Sequence, residues 1–110
     1  MKDSIKPATV LTLKDEVNYA DDAVVSKTLT KNKNGNTTLF AFDKGQGLSE
    51  HAAPFDALAY IVDGKCRITI GGEEYELREG QMILMPATIP HAVEAIKPFK
   101  MMLIMIKDPK

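Results

Sequence analysis

Two histidines are the residues of this chain best suited to chemistry. The 110-residue sequence contains His51 and His91 as its only imidazoles and Cys66 as its only thiol. Imidazole binds metals and exchanges protons near neutral pH, whereas a Cys₂His₂ or Cys₄ zinc site needs more cysteines than this chain has. A single cysteine also excludes an internal disulfide. Imidazole chemistry is therefore limited to these two positions.

Nucleophilic catalysis finds no support in the residue pattern. Cys66 shares the apolar face of its predicted strand with Ile68 and Ile70, which predicts a buried, inert thiol. Ser49 lies two residues before His51 on a predicted strand, and this is not the strand–turn–helix elbow of a serine hydrolase. We therefore assign no catalytic residue from the sequence.

The segments that must position the histidines alternate with a period of two residues, which is typical of β-strands. Tyr75 and Leu77 alternate with charged residues, and Phe40 and Phe42 alternate with smaller side chains. Four pairs of residues that tolerate positive φ are predicted to form turns: Asn34-Gly35, Asp63-Gly64, Gly71-Gly72 and Glu79-Gly80. Many short strands with glycine turns indicate a sandwich or barrel, so the predicted fold class is all-β.

Two further runs are apolar on both faces. Leu58 to Val62 and Met101 to Ile106 lack the alternation of a half-exposed strand. Strands of this kind are covered on both sides. We expect a second sheet on one side, and a partner chain or the N-terminal segment on the other. Residues 1–20 are predicted to form a loosely structured arm or an edge strand, and residues 107–110 a frayed tail.

Both histidines lie in glycine- and proline-spaced segments that resemble the two motifs of the cupin superfamily. The resemblance covers residues 45–95. It rests on Gly45, His51 and Gly64 in the first motif, and on Gly80, Pro86 and His91 in the second. It implies a double-stranded β-helix, the jelly-roll cupin barrel, formed by residues 1–110 as one domain. It also implies pairing of two chains, so we expect a homodimer.

The resemblance further implies a divalent ion, iron, manganese, nickel or zinc, held by His51 and His91. The family completes this site with a second histidine and a glutamate, but Ala53 and Ala57 stand at those positions here. Asp56 is one residue out of register, so a regular strand would point it to the opposite face unless Pro54 bends the chain. Three alternatives stay open. They are a metal with three or more protein ligands, a weakly held ion completed by water or a substrate carboxylate, and a metal-free polar pocket.

Composition excludes several function classes. The charge balance, 14 Lys+Arg against 15 Asp+Glu, lacks the basic excess typical of nucleic-acid binding. No uncharged stretch approaches the roughly 20 apolar residues of a membrane span, and no secretory signal is recognised. With a single cysteine, we expect a cytoplasmic protein without nucleic-acid or membrane partners.

Three functional hypotheses follow. The first is a small-molecule-binding barrel of undefined activity with a two-histidine site that holds a divalent metal weakly. The second is a metal-dependent oxygenase or isomerase acting on a small polar metabolite. The third is a sensing or binding module that serves another protein. The six methionines of the chain are expected in the core, with an adaptable lining for an apolar ligand as the alternative.

Overall fold

The computed structural model describes residues 5–107, and strands dominate this part of the chain. One short 3₁₀ helix, Leu13–Asp15, precedes them. The eight strands are β1 (Val24–Asn32), β2 (Gly35–Phe42), β3 (Gly47–His51), β4 (Asp56–Ile70), β5 (Glu73–Arg78), β6 (Met82–Met85), β7 (His91–Glu94) and β8 (Phe99–Ile106). The all-β prediction is confirmed.

The strands form two facing sheets that share one strand. We call the sheet of β1, β2, β8, the first half of β4 and β6 the arm sheet, because the N-terminal arm packs on its outer side. We call the sheet of β3, β7, the second half of β4 and β5 the charged sheet. Every pairing is antiparallel. This arrangement is the jelly-roll barrel, as predicted.

The strand common to both sheets bends at Asp63–Gly64. The sequence predicts a turn at this pair, and that prediction is wrong, because β4 continues unbroken from Asp56 to Ile70. The register with β8 shifts between Ile61 and Asp63, and Gly64 has a φ of +81°. Positive φ and a register shift are the marks of a bulge, which bends a strand without ending it.

The core lies between the two sheets. Phe42 and Phe99 stack at the closed end with ring centroids 4.5 Å apart and planes only 2° from parallel. Ile68 and Met101 are fully buried beside them. Cys66 is also fully buried, and burial raises the pKa of its thiol to about 12. The thiol therefore stays protonated near neutral pH, in agreement with the predicted inert role.

The N-terminal arm covers part of the outer face of the arm sheet. Val17 of the arm packs with Leu39, Ala41 and Val62 in a second buried cluster. The backbone N–H of Ile5 donates to a carbonyl of β1, but no strand forms within residues 5–23. Within residues 5–20 the structure has an arm and no edge strand, and the predicted apolar cover over β4 and β8 comes in part from the chain itself. Residues 1–4 of the predicted arm and residues 108–110 of the predicted tail lie outside the described residues.

A buried lysine fastens the arm to the sheet. Lys100 is 8% exposed, and its ammonium group donates to the backbone carbonyl of Lys14 and lies 5.0 Å from the ring centroid of Tyr19. The Tyr19 hydroxyl donates to a carboxylate oxygen of Asp63 over 2.7 Å. Burial and the neighbouring Asp63 carboxylate both raise the pKa of Tyr19, so the hydroxyl stays a donor. A carbonyl and an aromatic face thus stabilise a cation beneath the arm.

The outer face of the charged sheet is polar instead. Arg67 of β4 lies at its centre, with its guanidinium 3.2 Å from Glu94 of β7 and 3.8 Å from Glu76 of β5. Exposed ion pairs contribute little stability, and their presence shows that this face is solvated. No helix within residues 5–107 is long and apolar enough to cross a membrane.

Replacing Gly64 by alanine should destabilise the protein far more than the same change at Gly80. Both glycines have positive φ, +81° and +88°, but a Cβ at Gly64 would lie 2.0 Å from the Pro98 carbonyl oxygen, whereas a Cβ at Gly80 meets nothing within 4 Å. We expect the free energy of unfolding to fall by about 3 kcal/mol or more for Gly64→Ala and by about 1 kcal/mol for Gly80→Ala. Urea unfolding measures both, and equal losses would show that β4 does not depend on this close approach.

Candidate functional site

A cross-strand pair brings the two histidines together. His51 at the end of β3 lies directly opposite His91 at the start of β7. Their ring centroids are 4.5 Å apart, and the ring planes are inclined by 65°. Two imidazoles at this spacing share one site, and both occupy positions that the sequence resemblance singles out.

An irregularity in β3 directs His51 to the same side as its partner. Leu48 pairs with Val93, and His51 pairs with His91. Three steps along β3 therefore correspond to two steps along β7, and β3 has one extra residue. Leu48 and Val93 belong to the interior. In a regular strand, a step of three residues would turn His51 outward. The extra residue restores it to the barrel side, a feature that period-two reasoning misses.

The two rings differ in burial. His91 is 5% exposed, whereas His51 is exposed at the open end of the barrel. Burial lowers the pKa of His91, the proximity of His51 lowers it further, and the hydrogen bond to Ile89 opposes both effects. Burial, the largest of these causes, thus favours the neutral form of His91.

Backbone carbonyls set the tautomer of both histidines. The Nδ1 atom of His51 lies 2.8 Å from the carbonyl oxygen of Ser49, and that of His91 lies 3.3 Å from the carbonyl oxygen of Ile89. A carbonyl oxygen only accepts, so each Nδ1 carries the hydrogen. Each neutral ring is then left with a lone pair on Nε2, which can bind a metal or accept a hydrogen bond.

The two alanines of the first motif leave that wall of the site without further ligands. Ala57 points into the barrel and is 5% exposed, while Ala53 is half-buried and its carbonyl accepts the backbone N–H of Thr88. Asp56 is exposed and its carboxylate accepts the backbone N–H of Ala87 over 2.8 Å. Asp56 thus anchors the loop after β6 and is not a third ligand here.

The donor set supports a two-nitrogen site only. No group of three or more His, Cys, Asp or Glu side chains within residues 5–107 is arranged to hold a metal. A catalytic zinc or iron normally keeps about three protein ligands. The residues present therefore do not fit the family's full metal site. The Nε2 atoms of His51 and His91 would be the protein ligands of a weakly held ion.

Apolar residues lie at this end of the barrel on both sheets. Ile70 lies opposite His91, and Ala57 lies between Met85 and Met105 on the arm sheet. Both methionines contact the core cluster. Phe55 lies at the open end with the Lys107 ammonium 5.7 Å from its ring centroid. Tyr60 packs with the arm on the outer side, so it does not line the site.

A separate cleft of about 390 Å³ lies at the bend between β5 and β6. It contains neither histidine, and no motif in the sequence indicates it. Its lining mixes apolar and polar side chains, namely Tyr75, Glu76, Leu77, Gln81, Met82 and Ile83.

The lowered pKa of His91 makes the stability of the metal-free protein depend on pH. Unfolding releases His91 to its ordinary pKa of 6.5, so the unfolded chain binds the proton more readily. The contribution of neutral His91 to the free energy of unfolding is therefore complete above that pH and is lost as the pH falls below it. Urea unfolding between about pH 7.5 and 5.5 in EDTA should show a larger loss for the native protein than for His91→Asn. A loss of the same size in both would contradict the assignment.

Comparison with known proteins agrees with the barrel fold. The family model described as "Cupin domain" matches residues 38–107, which is more than half of the chain. A solved structure of a conserved protein of unknown function from Streptococcus pyogenes is 41% identical, with a TM-score of 0.92, covering 97% of this chain and 94% of that one.

Two further relatives extend the comparison. A cupin 2 conserved barrel domain protein from Leptotrichia buccalis is 38% identical with a TM-score of 0.84. The alignment covers 86% of this chain but only 46% of that longer protein. An uncharacterized protein from Streptomyces coelicolor is 25% identical over 80 residues, 73% of this chain and 76% of its own length. With the barrel and the matched region in agreement, the chain belongs to the cupin family.

Proposed function

We propose that this cupin binds a small molecule at the mouth of its barrel, with the His51–His91 pair as the polar anchor. The pair also holds a divalent ion weakly. The proposal rests on one observation above all, the hydrogen bonds that commit both Nδ1 atoms to backbone carbonyls. These bonds hold the rings in place, with centroids 4.5 Å apart, and leave the Nε2 lone pair of each ring for a ligand.

The two Nε2 lone pairs define the chemistry that the site recognises. Each of them accepts a hydrogen bond or binds a cation, so the pair favours a ligand with hydrogen-bond donors, or a metal ion. The alanines at positions 53 and 57 leave room beside the pair for a ligand larger than a hydrated ion. Met85 and Met105 give that space flexible, apolar walls.

The second candidate function is metal-dependent catalysis, as an oxygenase or isomerase acting on a small polar metabolite. The observation that favours it is the same pairing of two imidazoles across β3 and β7. A substrate carboxylate would then have to complete the ligand set. A sensing module that serves another protein is the third candidate, and it would use the same anchor without a reaction.

The single buried thiol suits a reducing compartment, and we propose the cytoplasm.

Metal analysis of protein purified without a histidine tag separates the first two functions. For the proposed binding protein, we expect less than about a tenth of an equivalent of iron, manganese, nickel or zinc, and an unchanged melting temperature in EDTA. Added Ni²⁺ should bind with a dissociation constant of about 10 µM or weaker, because only two protein nitrogens ligate it. His91→Ala should abolish this binding.

Glu50→Gln provides the matched control, because Glu50 is an exposed carboxylate next to His51. Its Ni²⁺ affinity should equal that of the native protein. One tightly bound equivalent that is lost in His91→Ala would instead favour the metal-dependent enzyme. Unchanged Ni²⁺ binding in His91→Ala would show that the histidine pair does not bind the ion, and would contradict its role in both functions.

We also propose that two chains pair through the uncovered part of the arm sheet. Beside the region that the arm covers, apolar side chains on β4, β6 and β8 face outward. Met82 is 53% exposed and Leu84 is 48% exposed, and they lie opposite Tyr60 and Leu58 of β4. This surface continues the buried cluster beneath the arm, and a second copy of the same face would cover it.

Light scattering at micromolar concentration tests the pairing. We expect a mass of about twice that of one chain, and a shift to the monomer mass in Leu84→Arg, because an arginine would be buried in the contact without a partner. Ile89→Arg is the control, since Ile89 is an exposed apolar residue in the loop before β7. A monomeric native protein would contradict this proposal.

A further inference from the structure

The barrel mouth has a second polar wall, opposite the histidines, formed by Asn36 and Thr38 of β2. Along β2 the core residues Phe40 and Phe42 alternate with Leu39 and Ala41, which belong to the cluster beneath the arm. The pairing with β8 runs without a shift along the whole strand. Asn36 and Thr38 therefore point into the barrel with the phenylalanines.

The chain connectivity places this wall in front of the histidines. β2 ends at Phe42 and β3 begins at Gly47, so residues 43–46 carry the chain from one sheet to the other at the closed end. From this connection, both β2 and β3 extend toward the open end of the barrel. Phe42 is level with Gly64 at the bend through Phe99, whereas His51 is level with Ile70 through His91. Asn36 is six residues from Phe42, and Ile70 is six residues from Gly64. Asn36 is thus level with His51, and Thr38 is one inward-facing position nearer the closed end.

Two rows of residues frame the space between these walls. On the arm sheet the row is Asn36, Met105, Ala57 and Met85, and on the charged sheet it is His51, His91, Ile70 and Glu73. Ala57 and Ile70 are near the two ends of β4, which bends midway, so both rows lie at the same end of the barrel. Asn36 and His51 face each other at one edge of this space, and Met105, Ala57 and Ile70 make its middle apolar. The exposed Glu73 carboxylate is at the far edge.

The hydrogen bond between Thr38 and Asn36 determines which group of the second wall can bind a ligand. The Thr38 hydroxyl donates to Oδ1 of Asn36 over 3.3 Å, which directs the amide NH₂ group away from Thr38. Within residues 5–107 this NH₂ group donates to no protein atom, and both side chains are half-buried. A polar group in this setting needs a partner from outside the fold, either water or a ligand oxygen.

From this complementarity we infer that the ligand carries a hydroxyl or amine donor for the histidine pair and a carbonyl or carboxylate oxygen for the Asn36 amide, joined by a short carbon chain. The inference rests on the proposed function, since it uses the same site. Small hydroxy-ketones and hydroxy-acids have this chemistry. The exposed Lys107 ammonium at the rim is the cation that favours the anionic members of this class.

Four probes test the inference on metal-free protein in EDTA. Hydroxyacetone and glycolate carry both groups, whereas methoxyacetone and methoxyacetate have the hydroxyl hydrogen replaced by a methyl group. We expect the first two to bind with millimolar affinity, as for fragments of about five heavy atoms. They should shift the imidazole resonances of both histidines and the side-chain amide resonance of Asn36. The methoxy probes should bind at least about fivefold more weakly, because a donor is lost.

Variants distinguish the second wall from the histidine pair. Asn36→Leu should weaken glycolate binding about tenfold and Thr38→Val about threefold to fivefold, since each removes one hydrogen-bonding group. Thr37→Val is the matched control, because Thr37 is the adjacent residue on the opposite face; its affinity should equal the native value. Melting temperatures establish that each variant is folded.

The two proposals fail differently. Histidine shifts with unchanged glycolate affinity in folded Asn36→Leu and Thr38→Val would overturn the second wall and leave the histidine anchor in place. No histidine shift with either hydroxyl-bearing probe would overturn this ligand class. If His91→Ala also still binds Ni²⁺ as the native protein does, the proposed function fails as well.

Discussion

At Gly64 the backbone of β4 takes a φ of +81° and passes so close to Pro98 and Phe99 that a side chain of any size would collide with them. This close approach lets one strand belong to two sheets. Because β4 bends there and does not end, its two ends meet at the same side of the barrel. Ala57 and Ile70 are thereby held in rows with Met105 and His91, and the site depends on this bend.

Much of the fold follows from short-range patterns. The alternation through Phe40 and Phe42, and the doubly apolar run of β8, correspond to strands with the predicted faces. The error at Asp63–Gly64 has a physical cause. A glycine with positive φ serves a tight turn and a strand bulge equally well, and only the distant contact with Phe99 decides between them. Information of that range is absent from the local sequence.

In the site, too, some features follow from the local sequence and others depend on distant contacts. The spacing of glycines and prolines points to His51 and His91, and face alternation predicts that Asp56 turns away from Ala57, as its bond to the Ala87 N–H shows. The bulge that directs His51 inward is not visible in a regular two-residue pattern, nor are the carbonyls that orient both rings. Asn36 and Thr38 carry no motif at all. They become relevant only once the connection between β2 and β3 sets the two strands face to face.

The Lys100 contact also bears on where the folding unit begins. The family match starts at residue 38, yet the ammonium group of Lys100 is stabilised by the carbonyl of Lys14 and the ring of Tyr19. Val17 seals the apolar surface of Leu39 beneath the same arm. Cutting at the family boundary would strip β1 from the sheet, expose that surface and leave a cation without its partners. The part of the chain that the family model matches is therefore smaller than the part that folds as one unit.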